Sequence, residues 1–271
     1  MNSFRSALGR GRFLISAGFS LCLVLGTLFY VAHTKEIAQP HFSRVTEVAT
    51  STASGAEKPK WQQYLLSQAS SPPRASDDVI LSGASDALTE RVSQLYTVMQ
   101  KGGLYTPENL SQVGATVADT MKLEPTFDRI TRAELTIDPD SSYDRMLTYR
   151  ADMRVALEPL LTNKEPEFEV FARYLETKNE IYLEQLATTA ANYTRAARQA
   201  RAVPVPVDAA EAHVRTINSL SLFATTLTHM SKHGADPVAS LMLLRAYNDA
   251  EQEVFSAFNE LALYYRNKKH V

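Results

Sequence analysis

The chain has 271 residues, 45% of them hydrophobic and 21% charged, which excludes a collagenous or wholly disordered protein. A formal net charge of −2 excludes a global basic field, so no nucleic-acid partner is expected. One cysteine, Cys22, excludes an intramolecular disulfide and any C-x-x-C metal or redox motif.

Residues 1–12 form a basic stub carrying Arg5, Arg10 and Arg12, and no acidic residue occurs before Glu36. Residues 13–32, FLISAGFSLCLVLGTLFYVA, carry no charge. A run of that length makes about 30 Å of helix at about 1.5 Å per residue, the thickness of a bilayer's hydrocarbon core. It reads as a transmembrane anchor in the lipid bilayer. The three arginines place the N-terminus in the cytoplasm and the rest outside, giving a single-pass protein of the cell membrane. A cleaved signal peptide fits less well, because its apolar core is usually about 7–15 residues and ends in small residues, and bulky Tyr30 stands two residues before a cut after Ala32. A lipoprotein signal needs a small residue before its cysteine, and Leu21 precedes Cys22.

Residues 33–84 are rich in Ser, Thr, Ala, Pro and Lys and predict a flexible linker with an apolar island at Trp61, Tyr64, Leu65 and Leu66. From 85 to 268 the pattern predicts an all-α domain, an antiparallel bundle of about four long helices from 141 onward with two shorter ones before it. The first short helix, 86–101, stops at Gly102-Gly103. Thr106-Pro107-Glu108 starts the second, which runs to about 121. Residues 122–141 form an irregular connection with at most one short helix. Ser141 or Ser142 caps a helix over 143–161, Pro166 opens one long helix running to about 201, and a helix over 209–232 is stopped by Gly234. Asp236-Pro237 starts the last helix.

Between the two longest hairpins lies AVPVPVDAAEAHV. Each proline drives the residue before it out of the α region, and neither has an N–H for the helix ladder. Val203, Pro204, Val205 and Pro206 therefore read as an interhelical corner, with its valines tucked into the bundle's end, rather than a docking peptide. Asp208 followed three residues later by Glu211 reads as an aspartate version of the capping box.

No catalytic, cofactor-binding or metal-ligating constellation stands out. Glu-x-x-His pairs, His-Glu-x-x-His, phosphate-binding glycine loops and Gly-x-Ser-x-Gly are absent from the sequence, and no cofactor is expected. His229 and His233 have ligand spacing, but no acid or thiol nearby completes the set, and the helix dipole accounts for cations in a last turn. His213 reads as a packed histidine. Glu165, Glu167 and Glu169 complement a helix N-terminus, and Arg195, Arg198 and Arg201 a C-terminus. Asn109 and Asn192 sit in N-x-S/T patterns.

These features describe a non-enzymatic, membrane-anchored extracytoplasmic scaffold, with a protein partner or self-association through the bundle. The alternative is a small-ligand sensor bundle that signals through a partner subunit. Residues 160–267 resemble a group of uncharacterised bacterial single-pass membrane proteins encoded beside pilus or secretion components. The resemblance covers under half the chain. It rests on the VPVP break with His213, on Asn218-Ser219-Leu220-Ser221-Leu222-Phe223, on Asp236-Pro237, and on Phe258 with Tyr264-Tyr265. It implies a role at a pilus or secretion apparatus and carries over no catalytic residue.

Overall fold

A computed structural model describes residues 75–102 and 106–268. The basic stub with Arg5, Arg10 and Arg12, the anchor at 13–32 and most of the linker lie outside the described residues. Among the described residues no helix is long and apolar enough to cross a membrane.

The described chain is mostly helical. The helices are α1 (Asp77–Ser82), α2 (Ala84–Lys101), α3 (Pro107–Thr120), α4 (Tyr143–Ala156), α5 (Glu167–Thr177), α6 (Ile181–Arg201), α7 (Ala210–His233) and α8 (Pro237–Asn267). Helix α7 is the centre. It packs most extensively against α6 on one side and α8 on the other. Phe223 on α7 meets Tyr193 of α6 edge-on at 4.8 Å and Tyr247 of α8 at 5.2 Å. Leu220, Leu227 and Met230 on the same helix are fully buried. A second, smaller apolar cluster joins Leu95 and Val98 of α2 to Val113 and Val117 of α3.

Helix ends follow local chemistry where the side chains allow it. Ser142 accepts the Arg145 N–H, and Asp236 accepts those of Val238 and Ala239. Gly234 is required by a close approach rather than by its φ. A Cβ there would stand 2.6 Å from the Met230 carbonyl oxygen and 2.7 Å from the Phe171 ring.

Several expectations are corrected. The long helix over 166–201 is two helices, broken at Lys178, whose φ is 56°. A left-handed residue of this kind costs roughly 1–2 kcal/mol. The Lys178 N–H closes α5 on the Tyr174 carbonyl at 2.7 Å, and the Asn179 side chain accepts the Ile181 N–H at 3.1 Å to start α6. The bundle from 141 onward therefore has five helices rather than four. The helix over 143–161 ends at Ala156 and gives way to a 3₁₀ helix, Glu158–Thr162. Residues 77–82, assigned to the linker by composition, are helical, the next helix starts at Ala84, and Leu81 is completely buried.

The connection over 122–141 is a strap laid along the bundle. It contains a 3₁₀ turn, Arg132–Glu134, and a two-residue strand β1 (Ile137–Asp138). Strand β1 pairs in parallel with β2 (Val205–Pro206), Ile137 opposite Val205. The strap is pinned by side chains of distant elements. Asn218 of α7 both accepts from the Ile130 N–H at 2.9 Å and donates to the Ile130 carbonyl at 3.0 Å. Arg201 reaches Glu134 at 2.8 Å.

Candidate functional site

The two ends of α7 each carry a cluster of polar groups around a histidine. At the N-terminal end lies the corner. Val205 is fully buried and Val203 nearly so. The Val205 N–H donates to the Thr136 carbonyl at 2.9 Å, and the Val207 N–H to that of Asp138 at 2.8 Å. Pro206 stands opposite Asp138. Arg145 of α4 bonds Asp138 at 2.6 Å and donates to the Pro204 carbonyl at 2.6 Å. The prolines thus sit where no N–H is needed, and their neighbours supply the sheet bonds.

The capping box at Asp208 and Glu211 is not formed. The residue before α7 is Ala209, with no side-chain cap. Asp208 instead accepts the Tyr264 hydroxyl at 3.1 Å and pairs with Lys268, fastening the end of α8 to the corner. Glu211 turns to Arg132 of the strap, 3.6 Å away. Two long-range ion pairs have displaced one local hydrogen-bond pair.

His213 lies beneath this corner with no exposed surface. Its Nδ1 is 2.8 Å from the Tyr149 hydroxyl, and Tyr149 packs against Tyr264 and Tyr265. Burial pushes the His213 ring down to about 4, only partly offset by the Ala200 carbonyl, so it is neutral at pH 7. Burial pushes the Tyr149 hydroxyl far up. This is a sealed structural cluster.

At the C-terminal end the arrangement is open. His229 and His233 occupy the last two turns of α7, their ring centroids 6.1 Å apart. The first turn of α1 brings Asp77 and Asp78 against them. Asp78 Oδ1 is 2.8 Å from His233 Nε2 and 3.6 Å from His229 Nδ1. Asp77, itself buried, accepts the Thr126 N–H of the strap at 2.5 Å and places Oδ2 3.5 Å from His229 Nε2. Lys232 Nζ stands at the rim, 3.9 Å from Asp78 Oδ2. The hydrogen bond from His233 holds the Asp78 carboxyl below its usual range. Burial lowers the His229 pKa, against the opposing pull of Asp77 and Asp78. His229 Nδ1 is buried without a hydrogen-bond partner among the described residues. The acid missing from the neighbourhood of these histidines in sequence therefore arrives from α1.

Several of the remaining sequence candidates are tied up in internal contacts. Glu165 pairs with Arg173 at 2.8 Å, and Glu167 accepts the Tyr193 hydroxyl at 3.1 Å. Burial raises the Glu167 pKa. Asn192 is buried and donates to Thr162 and Asn163, so it is an internal tie rather than a glycan acceptor. An open groove of about 480 Å³ between strap, α7 and α8 contains Arg215, Glu253 and Glu260. Arg215 already bonds both glutamates, at 2.8 and 2.9 Å, and Ser256 at 2.8 Å. Comparison with protein families, curated proteins and solved structures finds no match to this chain.

Proposed function

We propose that the protein is a membrane-anchored, extracytoplasmic helical scaffold of the cell envelope. The observation that carries this reading is the uncharged run 13–32 behind Arg5, Arg10 and Arg12. The helical body supports it in a second way. Its strong polar groups go into joining elements to one another: Arg145 to Asp138 and Pro204, Asp208 to Tyr264, Arg201 to Glu134. Such cross-ties favour a rigid docking body. The likeness of residues 160–267 to single-pass proteins encoded beside pilus or secretion components makes an assembly of that kind the favoured partner.

Photo-crosslinking in intact membranes tests this. A crosslinking residue at Leu241, 63% exposed on α8, or at Val155, 67% exposed on α4, samples two sides of the body. A reproducible crosslink to one large envelope component or to a second copy is expected. Recovery of the monomer alone from every position, or protease protection placing the body in the cytoplasm, overturns the reading.

A further inference from the structure

We propose that Asp78, His229 and His233 bind a divalent first-row transition ion such as zinc, with Asp77 supporting His229 from behind. The three residues offer one ligand atom each, and these atoms all lie within 4.8 Å of one another. Two histidines four apart on a helix project to the same side, and one carboxylate oxygen faces a nitrogen of each ring, at 2.8 and 3.6 Å.

An ion pair alone does not explain this arrangement. It accounts for His233, which bonds Asp78 directly. It leaves His229 Nδ1 buried and unpartnered, aimed at the same carboxylate over a distance too long for a hydrogen bond. His229 is only 8% exposed, so that atom carries a desolvation penalty which an ion at the site removes.

The surroundings are those of a ligating histidine. A metal-bound imidazole usually passes its second ring N–H to a carboxylate or carbonyl, which fixes its tautomer and orientation. Asp77 Oδ2 stands behind His229 Nε2 at 3.5 Å, a small shift from that hydrogen bond, and Asp77 is itself fixed by both the N–H and the hydroxyl of Thr126. Asp77 thus ties the strap to the site.

Two imidazoles and one carboxylate suit zinc and its neighbours rather than calcium or magnesium, which prefer oxygen ligands. Ligands at about 2.0–2.2 Å around a tetrahedral ion stand roughly 3.4 Å apart, so on binding the Asp78–His233 separation of 2.8 Å opens and the Asp78–His229 separation of 3.6 Å closes slightly. Asp78, 55% exposed at its side chain, has room to adjust its carboxylate, and Lys232, equally exposed, has room to leave the rim. Three protein ligands leave a fourth position for water. The bound ion would staple α1, the first described helix, to the end of α7.

The test uses the full-length protein in mild detergent, stripped with a chelator and then titrated with zinc by calorimetry and with cobalt(II) by visible absorption. One ion per chain is expected. The Asp78→Asn/His233→Ala double variant should lose more than about 100-fold in zinc affinity and lose the cobalt d–d band, and Asp77→Asn should lose roughly 10- to 100-fold. Zinc should raise the melting temperature of the wild type and not that of the double variant. Circular dichroism of the metal-free variants checks that they remain folded. No zinc uptake by the wild type overturns the proposal, and so does equal uptake by wild type and folded double variant, which places the ion elsewhere.

Discussion

Helix α7 carries histidine in both its first turn and its last turns, and the two ends are built oppositely. His213 is sealed under the corner by Tyr149, and around Tyr149 stand Tyr264 and Tyr265. His229 and His233 face two carboxylates and a rim open to solvent. The same side chain is thus fixed as a neutral packing group at one end and offered as a ligand at the other. The difference comes from what packs over each end: an aromatic layer from α4 and α8, or the acidic first turn of α1.

The largest break in this contrast comes from opening the sealed end. Tyr149→Ala removes a fully buried ring and should destabilise the fold by about 3–5 kcal/mol in urea unfolding. The His213 ring should also give the sealed end an acid-sensitive stability. Its folded value of about 4 lies below the ordinary 6.5, so between those limits the unfolded chain binds more protons. The stabilisation is complete above about pH 6.5, falls as the pH drops toward 4, and amounts to about 3 kcal/mol over that window. Unfolding curves between these limits check it, and His213→Gln should flatten the slope.

The open end sharpens the comparison with smaller effects. Gly234→Ala would press a methyl group against Phe171 and the Met230 carbonyl just beyond His233, and should cost about 1–3 kcal/mol in thermal unfolding. Asp236→Ala removes the cap of α8 and should cost about 1 kcal/mol. Either change should leave the acid limb due to His213 unaltered, because the two ends share no partner.

Most helix boundaries were legible because their signals are local. Ser142, Gly234 and Asp236-Pro237 act within one turn of where they stand. The break at Lys178 was hidden because it uses neither glycine nor proline; the only trace is Asn179, a residue able to start α6 with its own side chain. At the corner, proline chemistry indicated the extended valines. It could not indicate that Asp208 would prefer Tyr264 and Lys268, 56 and 60 residues away, to the first turn of α7. The acidic half of the histidine site was least legible. Asp78 lies 155 residues from His233, in a Ser- and Pro-rich stretch that composition assigns to a linker. Its one visible cue is Asp77-Asp78 followed by Val79, Ile80 and Leu81, an acidic first turn and an apolar run.

The contrast between the two ends can be read directly from the histidine ring nitrogens. In long-range proton–nitrogen spectra of the full-length, nitrogen-labelled protein at pH 7, stoichiometric zinc should shift the ring signals of His229 and His233 together. The neutral, Tyr149-bonded signals of His213 should not move. Unmoved signals at His229 and His233, or an equal shift at His213, would contradict the account.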